Sequence, residues 1–379
     1  MKTGILKRQA LQISLGLGRT MGGGEYTALM VAEALRDAGF KTFLLCKKVP
    51  RLKKYLEAFD VEVPFEGFYL FKYPRLPRLA KLFHYLLYPV STPNVKVDLY
   101  FNTSADSHPF AIPLHAIIHY KPVVYYVTAL PLTPPWLINN KDEQYLTIAR
   151  KTYWSYFRKS AKNIWSRVNG IFIACSRFVA KQLKEAIGKD PQILYTPVDV
   201  SKYIWRGEKK RDVAIVMGRT VPSKRYEEAI LACMKAGVRL IMLLAIHDKA
   251  YYQKLLKLVR ELNLQEKVKI ITNAPVSVRS ALLRRAKVFI HCRVEAGAKA
   301  VREAMAAGCI PIVPALGGQA EYVPKEYHFS SFDELSEKIK TALNEPMDIR
   351  KALINEVMEH DSRVFKRRLT SLLEECGVL

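Results

Sequence analysis

The sequence lacks paired cysteines, long apolar runs and low-complexity segments. Its six cysteines lie far apart, with no Cys-x-x-Cys pair, which argues against a zinc site and against a dense disulfide framework. No stretch reaches the roughly 18 apolar residues that a membrane span needs. The amino terminus lacks the apolar core of a secretory signal. We therefore expect reduced thiols in a protein that is soluble or attached to a membrane surface.

Acidic residues are few relative to basic ones. The chain carries 60 lysines and arginines against 35 aspartates and glutamates, which gives a formal net charge of +25. Both halves of the chain share this excess, so it does not come from a basic tail. An anionic partner is expected, and charge alone leaves nucleic acid, phospholipid and a phosphorylated small molecule open.

Short apolar runs alternate with helical patterns along the 379 residues. A strand at Ala10–Leu15, a helix at Tyr26–Ala38 and a strand at Lys41–Cys46 form a βαβ unit, the building block of a parallel sheet. The alternation restarts after the charge-dense segment 204–211, which we interpret as an interdomain linker. The sequence therefore predicts an α/β protein with two Rossmann-like domains that face a central cleft.

Two glutamates, Glu295 and Glu303, lie on either side of the start of a predicted helix. The helix ends at Gly308, a typical helix stop, and at 1.5 Å per residue Glu303 lies about 6 Å along the axis from a helix start at Lys299. The two glutamates could hydrogen-bond hydroxyl groups on either side of a diphosphate. Lys299 and the amides of the first turn would favour phosphate oxygens. The two glutamates also fit a solvated helix carboxylate and a helix cap.

Two cations follow the predicted strand that ends at Gly218. Arg219 and Lys224 are expected at the carboxyl edge of the sheet, where open α/β sheets bind their ligands. There they would stabilise the negative charge of a leaving diphosphate. A basic surface loop explains the same residues, so the pattern leaves both interpretations open.

A glycine-rich loop follows the first predicted strand and opens the first helix. Gly22 and Gly23 belong to this loop, and their backbone can approach a phosphate or a sugar closely. The spacing matches neither the Gly-x-Gly-x-x-Gly fingerprint nor a P-loop. A plain flexible turn is the alternative interpretation.

Together and in this order, the motifs resemble those of the retaining GT-B glycosyltransferases of family four, the glycosyl transferases group 1. The family pattern has a Gly-Gly-x-Glu loop, a Gly-Arg-x4-Lys strand end and a Glu-x7-Glu pair before Met-Ala-x-Gly. The matching segments are Gly22–Glu25, Gly218–Lys224 and Glu295–Gly308. Tyr195–Asp199 is similar to the family's Pro-Val-Asp junction, and Gly317–Glu321 is similar to its Gly-Gly-x-x-Glu turn. The resemblance covers nearly the whole chain.

The resemblance implies a role for each matching residue. Glu295 would address the transferred sugar and is the implied catalytic residue. The family's histidine after an amino-terminal strand is absent, and Thr128 takes its place as the second catalytic candidate. The loop after Glu295 reads Ala296-Gly297-Ala298, where the family has x-Phe-Gly. The implied donor-binding residues are Gly22, Gly23, Gly218, Arg219, Lys224, Gly297, Ala298, Lys299 and Glu303.

The family's activity is transfer of a sugar with retention, from a nucleotide sugar that serves as co-substrate and is linked to GDP or UDP. No cofactor and no catalytic metal are implied, and the sequence has no Asp-x-Asp metal motif. By resemblance, residues 1–204 form the acceptor domain, residues 205–360 form the donor domain, and a helix in 361–379 packs back on the first domain.

Three short segments indicate a donor within this family. Asp98–Thr103, Val124–Pro131 and Met305–Pro311 resemble segments of the eukaryotic α-1,2-mannosyltransferases that act on lipid-linked oligosaccharides. This weaker resemblance makes mannose the expected sugar and GDP-mannose the leading donor. It also implies an acceptor that is a glycan or a lipid-linked sugar.

Two basic, aromatic-rich segments favour an anionic membrane surface. Leu79–Leu87 places apolar side chains on one helical stripe, with Arg75, Arg78 and Lys81 clustered at its start, a composition suited to binding at a bilayer surface. Tyr153–Trp165 is a second such segment. The stripe fits the core face of an ordinary helix equally well. With the net charge, we expect a cytoplasmic protein that is peripheral on the cytosolic face of a membrane.

Three other functions remain open. A cytosolic sugar or polysaccharide synthase of the same fold would keep the donor site without a membrane. A nucleic-acid-binding protein is suggested by the charge and by the aromatics at Tyr153–Trp165, which could stack on bases. No recognised nucleic-acid motif is present, so no nucleic acid is expected as a partner. A non-catalytic GT-B subunit is suggested by the altered loop after Glu295 and the missing histidine.

Overall fold

The computed structural model consists of two α/β units. It describes residues 8–17, 22–51, 59, 61–71, 92–104, 112–128 and 170–379. The first unit comprises Met1–Thr196 together with Arg363–Leu379, and the second comprises Pro197–Ser362. The amphipathic segment Leu79–Leu87 and the basic segment Tyr153–Trp165 lie outside the described residues.

The first unit is built on a parallel sheet, which has seven strands over the described ranges. In chain order they are β1 (Gln9–Ile13), β2 (Lys41–Cys46), β3 (Gly67–Leu70), β4 (Leu99–Asn102), β5 (Val123–Val127), β6 (Gly170–Ala174) and β7 (Gln192–Ile193). They lie in the order β3-β2-β1-β4-β5-β6-β7. Every residue of β4 and β5 is buried, as expected for central strands of a parallel sheet that helices cover on both faces.

Three helices lie between these strands: α1 (Gly23–Asp37), α2 (Leu114–Ile118) and α3 (Arg177–Ile187). Helix α1 begins three residues before its predicted start at Tyr26. Its first positions are Gly23 and Gly24, and Glu25 in the first turn favours the positive end of the helix dipole. The glycines that resembled a loop in the sequence therefore form the first turn of the helix.

The second unit has a parallel sheet of its own, with six described strands. They are β8 (Arg211–Arg219), β9 (Arg239–Ala245), β10 (Val268–Thr272), β11 (Ala286–Ile290), β12 (Ile310–Pro314) and β13 (His328–Phe329). Their order is β10-β9-β8-β11-β12-β13. The chain runs outward from β8 to β10 and returns to the other side at β11, so β8 and β11 flank the switch point where open sheets bind ligands.

Seven helices surround this sheet within the described part of the chain. They are α4 (Val200–Tyr203), α5 (Tyr226–Ala236), α6 (Lys249–Glu261), α7 (Val276–Arg285), α8 (Lys299–Ala306), α9 (Phe332–Asn344) and α10 (Met347–Met358). Helix α4 packs on α7 and α8, which explains why the second unit begins before it. Of the helices in the described ranges, none is both long and apolar enough to cross a bilayer.

The charge-dense segment 204–211 is bound to the second unit. Trp205 donates its backbone N–H to the carbonyl of Ala306 at 2.9 Å. Lys210 Nζ donates to the carbonyls of Ala286 and Ala307 at 2.9 and 2.6 Å. The polar residues that suggested a linker thus satisfy backbone groups at the ends of neighbouring elements.

The last helix, α11 (Ser362–Glu375), packs within the first unit. Phe365, Leu369 and Leu373 are its buried residues, on one face, and the Phe365 ring meets the ring of Tyr126 edge-on at 6.0 Å. Lys366 Nζ pairs with the carboxylates of Glu33 and Asp37 of α1 at 3.1 and 3.2 Å. The chain therefore returns to its first unit after completing the second.

Candidate active site

The loops that leave β8 and β11 carry most of the residues singled out in the second unit. Strand β8 ends at Arg219 and continues into a single 3-10 turn at Pro222–Lys224. Strand β11 ends at Ile290, five residues before Glu295. Because the two strands are parallel neighbours, their carboxyl ends bring both loops to the same edge of the sheet.

Lys224 and Glu295 form an ion pair across these loops. Lys224 Nζ lies 2.7 Å from Glu295 Oε1, with side-chain exposures of 12% and 24%. Arg293 Nε lies 3.9 Å from the same oxygen, and His291 Nε2 lies 3.6 Å from the other oxygen, Oε2. One carboxylate thus faces two cations and an imidazole.

The charge states of this cluster follow from burial and from the close cations. Burial tends to raise the pKa of Glu295, but the adjacent Lys224 ammonium holds this pKa well below its usual range. Burial lowers the pKa of His291 to about 4, against the opposing effect of Glu295. At neutral pH the site therefore contains an ionised Glu295, which can only accept hydrogen bonds, beside a neutral imidazole.

The turn after β12 fixes the backbone of Glu295 on both sides. Glu295 donates its N–H to Gln319 Oε1 at 3.0 Å, and Gly318 donates its N–H to the Glu295 carbonyl at 2.8 Å. The fully buried Gln319 amide also donates to the carbonyls of Leu316 and Arg293. Sequence reasoning missed this role, because Gln319 was only an unspecified position inside the Gly-Gly-x-x-Glu turn.

Glu303 is buried in helix α8 and paired within it. Its side chain is 6% exposed and contacts Lys299 Nζ one turn earlier, as residues four apart on a helix do. The Tyr203 hydroxyl lies beside this carboxylate. Burial is the main cause that raises the pKa of Tyr203, and the charge of Glu303 and a hydrogen bond with it raise the pKa further. A buried and paired Glu303 does not fit the alternative of a solvated helix carboxylate.

The loop between the two glutamates has an unusual backbone at Ala298. This residue caps α8 with φ +27° and ψ +62°, in the left-handed region that favours glycine. Tyr322 Oη donates to the Gly297 carbonyl at 3.2 Å, and the Arg302 guanidinium donates to the same oxygen at 2.5 Å. The positive φ thus falls on Ala298, and the glycine that this conformation favours, Gly297, lies one position earlier.

Gly218 and Arg219 end strand β8 in different surroundings. Gly218 has φ +150°, and a Cβ there would lie 2.8 Å from Tyr226 Oη and 3.5 Å from Lys224 Cε. Because glycine has no side chain, the Lys224 side chain has room to pass this position and reach Glu295. Arg219 is exposed and forms no ion pair with any residue that the structure describes. Its guanidinium is available to an anion.

In the first unit, the remaining candidates lie at the carboxyl edge of the sheet. Gly22 is the N-cap of α1 and Gly23 is its first residue. The Glu25 carboxylate folds back over this turn, since a Cβ at Gly22 would lie 3.3 Å from its Oε2. Thr128 follows β5 directly, and Cys175 Sγ donates to its carbonyl at 3.5 Å. These residues belong to the first unit, and they form a second group of candidates.

The six cysteines are all free thiols, five of them buried. Among the residues that the structure describes, no three or more His, Cys, Asp or Glu side chains form a group that could hold a metal ion.

Two family models match the sequence. The model for glycosyl transferases group 1 matches residues 201–360, and the model for glycosyltransferase family 4 matches residues 21–202. Every residue discussed as a candidate lies within one of these two ranges. A search of curated proteins gives no match.

Solved structures share the fold over the whole chain. HepE from Anabaena, in complex with UDP and glucose, is 17% identical with a TM-score of 0.73, over 97% of this chain and 100% of HepE. Sucrose-phosphate synthase from Thermosynechococcus elongatus is 14% identical with a TM-score of 0.73, over 97% and 99%. The pneumococcal O-GlcNAc transferase GtfA, in complex with UDP and GlcNAc, is 10% identical with a TM-score of 0.64, over 98% and 99%.

We expect Gly317→Ala to destabilise the second unit through the Glu295 loop. Gly317 has φ +109°, and a Cβ there would lie 2.8 Å from the Glu295 carbonyl oxygen. With ψ 173°, this backbone conformation is essentially restricted to glycine and costs a side chain on the order of 1–3 kcal/mol. The clash with a fixed carbonyl adds roughly 1–3 kcal/mol. The measurement is the midpoint of thermal unfolding.

Gly207→Ala is the matched control. Gly207 has φ +94° and no heavy atom within 4 Å of the position of a Cβ, so it carries the backbone cost without the clash. Each additional kcal/mol lowers the midpoint by about 2–4 °C in a domain of this size. Equal midpoints for the two variants would contradict the role assigned to Gly317.

Proposed function

We propose that this chain, which belongs to the GT-B glycosyltransferases through its group 1 and family 4 domains, transfers a sugar from a nucleotide sugar to an acceptor with retention. The observation that carries the proposal is a set of two ion pairs, Lys224–Glu295 and Lys299–Glu303, on the loops and the helix that follow strands β8 and β11. These two strands flank the switch point of the second sheet. This is the position at which parallel sheets of this kind bind nucleotides.

The donor's diphosphate would bind to fixed positive charge. Arg219 is exposed at the end of β8, and Lys224 and Lys299 lie on the loop and on the first turn of α8. The amides of that first turn add the positive end of a helix dipole. As the glycosidic bond breaks, negative charge grows on the diphosphate, and preorganised cations stabilise it more than they stabilise the ground state.

The two glutamates would bind hydroxyl groups. In this proposal Glu303, held in place by Lys299, accepts hydrogen bonds from the ribose, and Glu295 accepts them from the transferred sugar. The low pKa of Glu295, which burial opposes and Lys224 maintains, suits an acceptor and not a general acid. The acceptor oxygen would then bond to the sugar carbon on the face that the diphosphate leaves, and a diphosphate oxygen would take the acceptor's proton.

The resemblance also implies roles for the candidates of the first unit, which we propose as donor contacts. Gly22 and Gly23 would let the backbone at the start of α1 approach the donor closely. Thr128, at the end of β5, would offer its hydroxyl to the transferred sugar in place of the family's histidine. Gly218, Gly297 and Ala298 would shape the loops around the diphosphate.

Two donors have specific support. The resemblance of Met305–Pro311 and two further segments to mannosyltransferases favours GDP-mannose, which we propose as the first candidate. HepE, which shares the fold, has been solved in complex with UDP-glucose, and this favours UDP-glucose as the second. The likeness to sucrose-phosphate synthase likewise supports a soluble sugar as the alternative to a lipid-linked acceptor.

We expect Glu303→Ala and Lys224→Ala each to abolish transfer by weakening donor binding. Each change removes one half of an ion pair in the proposed site. A loss of about 1.4 kcal/mol or more corresponds to at least a tenfold higher Kd. The measurement is calorimetric titration with GDP-mannose and UDP-glucose, together with a transfer assay.

Lys235→Ala and Glu337→Ala are the controls, because they remove the same kinds of charge from exposed ion pairs of the same unit. Exposed pairs contribute little, so donor affinity should not change in these variants. Turnover equal to that of the wild type in either site variant would contradict the assignment.

We further propose that transfer requires no added divalent metal, because Arg219 and Lys224 supply fixed positive charge at the diphosphate. The expected rate in excess EDTA is within about twofold of the rate without it, since no metal ion is needed to neutralise the leaving group. Inactivation by EDTA that Mg²⁺ or Mn²⁺ reverses would refute this part of the proposal.

We also propose that the acceptor is lipid-linked and that the protein binds peripherally to the cytosolic face of a membrane. The net charge of +25 supports this, since each cation near an anionic bilayer surface contributes about 1 kcal/mol of attraction. We expect flotation with vesicles that contain phosphatidylglycerol, no flotation with phosphatidylcholine alone, and release at high salt. Failure to float with the anionic vesicles would favour the soluble acceptor.

A further inference from the structure

If the proposed function is correct, Glu295 and the donor's diphosphate compete for the Lys224 ammonium. The ammonium lies 2.7 Å from Glu295 Oε1 in the structure, and the donor's diphosphate would attract the same ammonium. A diphosphate carries more negative charge than one carboxylate, so the stronger attraction draws Lys224 away from Glu295. Donor binding would therefore loosen the closest contact of the Glu295 side chain.

A partly buried carboxylate that loses its close cation needs another donor. The Glu295 side chain is only 24% exposed, and a charge in such surroundings is costly unless hydrogen bonds compensate for it. Arg293 Nε lies 3.9 Å from Oε1, the same oxygen that Lys224 contacts, so a diphosphate that attracts Lys224 would attract Arg293 as well. The other oxygen, Oε2, faces His291.

His291 has the properties that this exchange requires. It is 4% exposed, and its Nε2 is a buried atom with no hydrogen-bond partner in the structure. Unsatisfied buried polar atoms are rare and call for an explanation. Nε2 lies 3.6 Å from Glu295 Oε2, so a movement of roughly 0.6 Å would bring the pair to hydrogen-bond distance.

The surroundings keep His291 both fixed and neutral. Its backbone N–H donates to the Ile312 carbonyl of β12 at 3.0 Å, which fixes the His291 backbone to the sheet. Burial lowers its pKa to about 4, so at neutral pH the ring carries one N–H and no charge. A neutral donor can hold the carboxylate without competing with Lys224 for the diphosphate.

We propose that His291 is a positioning residue that donates from Nε2 to Glu295 Oε2 when the donor's diphosphate takes Lys224 from the carboxylate. The proposal rests on the proposed function and deepens it, because it assigns a cause to the orientation of Glu295 during transfer. His291 touches neither substrate nor diphosphate, and it acts through Glu295 alone.

The test compares His291→Gln, which keeps an N–H donor near the position of Nε2, with His291→Leu, which removes it. We expect kcat to fall at least tenfold in His291→Leu with a donor KM within about threefold of wild type, and kcat to stay within about threefold in His291→Gln. His328→Leu is the control, because it removes a histidine of the same unit at β13, away from the site. Thermal unfolding of each variant checks folding.

A binding measurement tests the exchange without turnover. If Glu295 and the diphosphate compete for Lys224, Glu295→Gln should bind UDP or GDP at least threefold more tightly than wild type, because the amide no longer holds the ammonium. This binding measurement tests the inference even if His291→Leu does not fold.

Each contrary outcome overturns a defined part of the account. An unchanged kcat in His291→Leu, an equal loss in His291→Gln, or nucleoside diphosphate affinity that does not rise in Glu295→Gln overturns the inference while the proposed function stands. A wild-type protein that neither binds UDP or GDP nor transfers sugar from any nucleotide sugar overturns the proposed function, and the inference with it.

Discussion

The contact between Lys224 and Glu295 is the interaction on which the rest of the site depends. It joins the loop after β8 to the loop after β11 across 71 residues of sequence, at the switch point of the second sheet. Gly218 leaves the space that the lysine crosses, and Gln319 fixes the glutamate's backbone from the other side. Each of these residues matters because it sets the distance between one cation and one carboxylate.

The charged side chains of the site form ion pairs. Lys224 is matched by Glu295 and Lys299 by Glu303. Lys224 lowers the pKa of Glu295, although burial of that carboxylate acts in the opposite direction. A donor that carries a diphosphate and several hydroxyls offers a partner to every member: oxygens for the cations and hydroxyl protons for the acids. Under the proposed function, the same two ion pairs would supply the groups that bind a nucleotide sugar.

Local patterns in the sequence predicted the alternating strands and helices and the positions of the charged motifs, because both depend on spacing within a few residues. They could not predict the pairing of Lys224 with Glu295, which depends on the order of strands in the sheet. The buried amide of Gln319 and the left-handed backbone of Ala298 also arise from tertiary packing. The segment 204–211 resembled a linker because it is rich in charged residues. In the structure, Lys210 of this segment donates to two backbone carbonyls, a role that composition alone does not reveal.

The most direct test of the central claim is a thermal unfolding series with uridine, UMP, UDP and UDP-glucose, and with the matching guanosine and mannose compounds. A ligand that binds only the folded state at a hundred times its Kd stabilises it by about 2.7 kcal/mol. Because the proposed site binds the donor through its diphosphate, stabilisation should appear with the diphosphate and the nucleotide sugar of one base and be small for the nucleoside. Equal shifts for nucleoside and diphosphate, or no shift with any nucleotide, would contradict the account.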